Sequence, residues 1–287
     1  MQKDILSLCA EAFLSAPVID TSVALEVRGI TAQSFGAVKD KLVKLYGDTE
    51  LVADGGKQRL CDLTAAQTLT VDAKPDFEKC RYNVADALRV IEMLTREDGG
   101  CPWDKAQTHE SIRINMVEEA YEAVDAIDKR DAENMREEFG DVFLQSILQS
   151  DIARRAGEFD FSDVCDELSK KLISRHSWIF GGDTAQNADE ALTAWEKNKG
   201  IEKHYDGVKN QLERLPNAFP SLLYAQKTYK KMKKGGMAAD AQGALKAALE
   251  AKDYVGVIDA CVGLLADAGA DAEVELNKRI KQKISEL

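Results

Sequence analysis

Apolar residues recur along this chain in two rhythms. In the first 80 or so residues the elements are short and mixed. ALEVRGI (24–30) alternates like a strand, and FGAVKDKLVKLYGD (35–48) sets Val38, Leu42 and Leu45 at helical spacing. TELVADGGKQRLCDL then predicts a strand, a Gly-Gly turn and a second strand. From about residue 84 the spacing is helical throughout. VADALRVIEMLT (84–95) places Ala85, Leu88, Ile91 and Leu94 on one side and stops at Asp98-Gly99-Gly100. After Cys101-Pro102-Trp103, Asp104 with Gln107 three residues on is expected to cap a helical turn. A helix over 111–128 has Val117, Ala120/Tyr121, Val124 and Ile127 as its expected buried stripe. A helix over 132–157 has Met135, Phe139, Val142/Phe143 and Ile147. Only Lys129-Arg130-Asp131 join these two, which predicts antiparallel neighbours. Helices are further expected at 161–178 and 187–199, in the basic stretch PSLLYAQKTYKKMKKGG, and at 239–251, 253–267 and 271–284. Pro75, and Pro216 with Pro220, read as boundaries. The expected fold is all-α, behind a small α/β appendage over 1–80.

Composition narrows the chemistry. The chain has 287 residues, enough for one large domain or two small ones. A formal net charge of -12 argues against a general nucleic-acid or anionic-membrane binder. An acidic chain that handles phosphates needs a metal or a focused cationic pocket. Lys3, Asp4 and Glu11 interrupt what would be the apolar core of an export signal. No stretch approaches the roughly 20 apolar residues of a membrane span. The 6 cysteines form no CxxC pair, which fits free thiols in a reducing cytoplasm. With 3 histidines, a histidine-rich metal site is disfavoured.

The chemistry concentrates in EEAYE (118–122) and REEFGD (136–141). Glu119 and Glu122 are three apart and share a helix face, and Glu138 and Asp141 repeat that geometry on the next helix. Antiparallel packing would bring the four carboxylates around one volume, at the rim of the helix pair. Unpaired, they would repel one another; a divalent cation with oxygen ligands removes that cost. Mg²⁺ suits carboxylates combined with substrate phosphates, and Mn²⁺ is an alternative. Gly140 costs a helix interior roughly 1 kcal/mol relative to alanine, which a close metal, phosphate or helix would justify. The plain alternative is two acidic, solubilising faces. A ferritin-like site would want Glu-x-x-His, and these helices hold no histidine.

Cationic and aromatic residues follow. Lys171 and Arg175 lie four apart in KLISRHSWIFG, placed for outer phosphates, with Arg175 offering a bidentate fork. His176 reads as structural and Trp178 as a core residue. Trp195 and Lys199 lie one turn apart in AWEKNKG, for base stacking and charge neutralisation, or as a core tryptophan beside a solvated lysine. Trp103 either lines a nucleotide pocket or pins its loop, and the second is favoured. Lys227, Lys230, Lys231, Lys233 and Lys234 read as a solvated face.

Taken together, GGCPWDKAQTHESI, VEEAYEAVDAI, MREEFGDVFLQ, KLISRHSWIFG and AWEKNKG resemble, in order and spacing, the MazG family of nucleoside triphosphate pyrophosphohydrolases over about 84–235. The resemblance implies an all-α helical bundle with antiparallel metal-binding helices, usually dimeric. It implies hydrolysis of nucleoside triphosphates to monophosphate and pyrophosphate with Mg²⁺, by water attack at the α-phosphorus and with two or three ions. It implies that Glu119, Glu122, Glu138 and Asp141 are metal ligands and that Glu118 or Glu122 orients water. It further implies that Lys171, Arg175, Trp195 and Lys199 face the substrate. Ser177 and Trp178 depart from the family's RHPHVF stretch, which predicts altered packing. Residues 239–287 resemble a worn second copy of the domain, with Asp253 and Gly256 standing where Glu and Asp would be, and so without a metal site. The zone 1–80 is similar to the tail of a tetrapyrrole methylase domain, without its cofactor site. The rival reading is a catalytically weak, nucleotide-binding dimeric scaffold. A nearer rival is a relative acting on a deoxyuridine or phosphoribosyl substrate.

Overall fold

The computed structural model describes residues 5–73, 79–237 and 240–287. Pro75, Lys3, Asp4 and Ala239 lie outside the described residues. The chain divides into two compact units, Met1–Glu167 and Leu168–Leu287.

The first unit opens with β1 (Ile5–Cys9), α1 (Ala10–Ser15), β2 (Ala24–Arg28), α2 (Phe35–Tyr46), β3 (Glu50–Ala53), β4 (Gly56–Arg59) and β5 (Thr68–Val71). The sheet runs β1-β2-β5-β3-β4, parallel at β1–β2 and antiparallel elsewhere. β1, α1 and β5 escaped the sequence reading because each is short and no period dominates in so few residues. The β3–β4 turn is Asp54-Gly55, not Gly-Gly. Both residues have positive φ, 48° and 88°, as a two-residue hairpin requires, and Gly56 already pairs in β4. Phe13, Leu25, Val27, Val38, Leu42, Tyr46 and Leu69 close one core between the sheet and the two helices.

Helix α3 (Val84–Thr95) begins at a capping box on Asn83, whose amide also donates to the Ile19 carbonyl at 3.1 Å. A buried Lys79–Asp86 ion pair of 2.5 Å lies beside it. Such a pair holds position more than it adds net stability. After the short α4 (Pro102–Lys105) come α5 (His109–Lys129) and α6 (Ala132–Ala156). The cap of α5 is Thr108, boxed with Ser111, and Asp104, expected to cap a turn, lies inside α4. Arg130, left-handed at φ 57°, ends α5, and Asp131 caps α6 through the amides of Glu133 and Asn134. The turn is thus as tight as expected, and α5 and α6 pack along their length. Ile91, Ile112, Ile147, Leu148 and Ile152 form the core beneath them.

The expected stripes need correction. On α5, Val117, Ala120, Tyr121, Val124 and Ile127 are exposed, and Ile112, Ala123 and Ala126 are buried instead. On α6, Phe139 and Phe143 are exposed, Met135 and Val142 are half-buried, and only Ile147 of the expected set is buried. Helical spacing identifies a face without saying what covers it. Here small residues mediate the α5–α6 approach, and the bulkier stripe points out of the chain.

Helix α7 (Phe161–Arg175) stops at His176, whose non-helical backbone starts a separate turn, α8 (Ser177–Phe180). The second unit continues with α9 (Ala188–Glu202), an unanticipated α10 (Gly207–Glu213), α11 (Ser221–Lys234), α12 (Ala241–Ala251), α13 (Tyr254–Asp267) and α14 (Ala272–Ser285). Helices α12 and α13 pack as a pair, with α11 against α13. Buried Gln226 donates to the Ala270 carbonyl at 2.6 Å and accepts from the Ala272 amide at 2.9 Å, fastening the α13–α14 turn. Among the described residues no helix is long and apolar enough to cross a membrane.

Candidate active site

The carboxylates come from the facing sides of α5 and α6. Buried Glu138 and Gln145 and half-buried Asp141 share a stripe with buried Leu148 on α6. Half-buried Glu119 shares one with Ala123 and Ala126 on α5. The group grades from buried Glu138 through half-buried Glu119 and Asp141 to exposed Glu122, a position at the rim of the helix pair.

One carboxylate oxygen from each of Glu119, Glu122 and Glu138 lies within 4.8 Å of the others. Asp141 falls outside that triple, yet its charge acts on both Glu119 and Glu138. Glu118 is exposed, and its charge also acts on Glu119. Burial raises the Glu119 carboxyl above its ordinary range, and Asp141, Glu122 and Glu118 push it further. Burial likewise raises Glu138, with Glu122 and Asp141 next. Glu138 is 8% exposed, and its Oε2 has no hydrogen-bond partner. A buried carboxylate oxygen without a donor, among like charges, is suited to a divalent cation. An all-oxygen set of this kind fits Mg²⁺ or Mn²⁺.

Gln145, which the sequence reading passed over, donates its amide to Glu119, and its own Oε1 is buried without a partner. Its spacing was a usable signal: Glu138, Asp141 and Gln145 stand at i, i+3 and i+7 on one face. Among the described residues Gly140 has nothing within 4 Å of where a Cβ would stand.

The cationic candidates belong to the second unit. Lys171 is exposed. Arg175 is buried, and its fork is engaged by Glu202 at 2.8 and 2.9 Å. That pairing drives the Glu202 carboxyl down to about 2. The Arg175 guanidinium also lies 4.9 Å from the Trp195 ring centre, and the Lys199 ammonium 5.0 Å from it. Trp195 is thus held among cations and half-buried. No local signal foretold Glu202, which reaches Arg175 across 27 residues.

Ser177 takes a hydrogen bond from Asn198 at 2.8 Å and gives one to Asp183 at 2.7 Å, so the departure from the family's proline adds a polar tie. His176 binds the Leu172 carbonyl at 2.7 Å, a structural role as expected. Trp178 is half-buried against His176 and is not a core residue. Trp103 is 59% exposed, on the short helix α4.

Residues 107–180 match the family model described as the MazG nucleotide pyrophosphohydrolase domain. An uncharacterized 26.1 kDa protein of Streptomyces cacaoi is 35% identical over 170 residues, covering 57% of this chain and 69% of that protein. A nucleoside triphosphate pyrophosphohydrolase of Escherichia coli K12 is 37% identical over 144 residues, 50% of this chain and 55% of the relative. The chain belongs to the MazG family. A MazG-related protein from Thermotoga maritima has a crystal structure with 28% identity and a TM-score of 0.36, covering 40% of this chain and 98% of that one. The chain spans about half the length of the first of its curated relatives. The matched MazG segment contains the four acidic candidates, Lys171 and Arg175, and stops short of Trp195 and Lys199. These relatives lend nothing to the tetrapyrrole methylase resemblance.

Proposed function

We propose that the chain hydrolyses nucleoside triphosphates to monophosphate and pyrophosphate in a Mg²⁺-dependent reaction. The observation that carries this is the buried, donorless Glu138 Oε2 set among Glu119 and Glu122 within a MazG domain. Glu119, Glu122, Glu138 and Asp141 would hold the ion, with Mn²⁺ a workable substitute. When bound, the ion supplies Lewis-acid stabilisation of charge on the phosphoryl oxygens. Glu118, exposed and next to the cluster, is placed to orient or deprotonate the attacking water. Lys171 and Lys199 offset charge on the outer phosphates, and Trp195 stacks on the base. Arg175 acts chiefly by holding Trp195 and α9, because Glu202 already fills its fork.

Val117, Tyr121, Val124 and Phe139 are large apolar residues left exposed on α5 and α6, which supports a homodimer built on these helices. Residues 239–287 serve as a worn second copy with a packing role, and 1–80 as a fused accessory segment. The setting is cytoplasmic.

The test is pyrophosphate release from a nucleotide panel with Mg²⁺ and with EDTA. Metal-dependent release with monophosphate as co-product supports the reading. Tight binding without turnover favours the scaffold instead.

A further inference from the structure

The basic run on α11, expected as a solvated face, has members in unequal surroundings. Lys227 lies over the Phe219 ring at 5.6 Å, and Lys233 pairs with Asp267 at 2.5 Å. Lys231 is different. It is half-buried and makes no ion pair among the described residues. Its ammonium has only the Gln211 Oε1 at 3.3 Å and the Tyr205 ring at 5.7 Å. It borders a cavity of about 380 Å³ among α9, α10 and α11, lined also by Glu196, Lys197 and Lys234.

The charge there is lopsided. Glu196 is the one carboxylate lining the cavity, and it is shared between Lys199 at 3.7 Å and Lys234 at 3.9 Å. Lys231 and Lys197 add two further cations that make no ion pair among the described residues, leaving Glu196 to offset several lysines, in a chain of net charge -12. Burial lowers the Lys231 ammonium from its ordinary range, and Lys199, Lys234 and Lys227 lower it further against the single opposing pull of Glu196. Holding a lysine half-buried beside like charges is unfavourable unless an anion completes the site. Lysines of this kind bind phosphate as point charges, and the Gln211 amide and Thr193 hydroxyl offer neutral donors on the same wall.

We propose that this cleft is an anion site for a pyrophosphate group, with Lys231 as its central cation and Lys199 and Lys234 at its edge. The choice of pyrophosphate among polyanions rests on the reading of the chain as a pyrophosphohydrolase; the existence of an anion site does not. The group has two sources, free pyrophosphate or the outer phosphates of a nucleoside triphosphate.

The experiment is calorimetric titration of the full chain with pyrophosphate in EDTA, which separates this site from the carboxylate cluster. Lys231→Met should weaken binding at least tenfold, Lys234→Met less, and Lys227→Met not at all. Competition by ATP but not by AMP would assign the group to a triphosphate tail; binding without such competition would assign it to the free ion. Should Lys231→Met fold poorly by circular dichroism, the exposed Lys234→Met carries the comparison. Equal affinity in wild type and both cleft variants, or no pyrophosphate binding by the wild type, overturns the site. Nucleotide turnover with an unchanged Lys231→Met titration sinks only the cleft. A Lys231-dependent titration without any turnover sinks only the hydrolase reading.

Discussion

The α5–α6 and α12–α13 pairs share a joint and differ in what it carries. Each first helix ends on a left-handed basic residue, Arg130 at φ 57° and Lys252 at φ 56°. Each second helix is capped by the next aspartate, Asp131 or Asp253. The capping amide reaches back alike, to Ala126 at 3.1 Å and to Ala248 at 2.9 Å. Counted from the capping aspartate, Glu119, Glu122, Glu138 and Asp141 correspond to Ala241, Ala244, Ala260 and Gly263. So Asp253 and Gly256 do not stand in for lost ligands, as the sequence reading had them; Asp253 is the cap and Gly256 donates to it at 3.0 Å. In the second pair the corresponding space is closed. A Cβ on Gly263 would meet the Tyr229 ring at 2.9 Å and the Ala241 Cβ at 3.1 Å. One hairpin thus holds mutually repelling carboxylates, and the other fills the corresponding positions with small residues packed against an aromatic ring. Local backbone chemistry sets the hairpin; the side chains one stripe inward decide whether it is a site or a core.

The sharpest break of this comparison is chemical. Glu138→Gln keeps the volume of the buried side chain and removes its charge. We expect Mg²⁺-dependent turnover to fall about 100-fold or more, the scale of losing one transition-state contact, with the helical content unchanged by circular dichroism. Turnover within a few-fold of wild type at limiting Mg²⁺ would remove Glu138 from the site.

Next in size is a steric test of the closed pair. Gly263→Ala must push Tyr229 or Ala241, an overpacking cost of about 1–3 kcal/mol that exceeds the helix-propensity gain of roughly 1 kcal/mol. Urea unfolding should show a net loss, and a stabilised variant would mean the space is open. The same substitution in the other pair should have the opposite sign. Gly140→Ala meets no atom within 4 Å, so the metal-free chain should gain up to about 1 kcal/mol by the same assay. If a second copy approaches Gly140, as the exposed Phe139 beside it favours, the gain disappears at concentrations where the chain is dimeric.

Much of this was legible in the sequence, for identifiable reasons. The ExxE and ExxD spacings and the three-residue connection are local, and local geometry is what helical periodicity encodes. The facing stripe was misassigned because Val117, Tyr121 and Phe139 outweigh Ala123 and Ala126 in any hydrophobic pattern, although close packing of two helices selects the small residues. Gln145 was within reach, being on the same face as Glu138. Glu202, Tyr229 and the Lys231 cleft were not, since each depends on where distant helices come to rest.

The smallest effect separates the two regions by pH. Glu119 and Glu138 have carboxyls raised above the ordinary 4.5, so the folded, metal-free chain binds their protons more tightly than the unfolded chain does. Stability at these groups therefore rises as pH falls from 7 through the raised range toward 4.5, and is lost again as pH rises. Glu202 works in the other direction. Its carboxyl, held at about 2 by Arg175, contributes stability above 4.5 that disappears as pH falls toward 2. The two windows barely overlap, so one acid titration reads both. Glu119→Gln should raise the metal-free melting temperature at pH 7 and flatten the profile above 4.5, leaving the acid limb below it intact. Added Mg²⁺ should raise the wild-type melting temperature at pH 7, and raise that of Glu119→Gln much less. A variant whose profile above 4.5 parallels the wild type would show that the carboxylates of α5 and α6 do not strain the metal-free fold, and the contrast with the alanine-lined pair would lose its physical basis.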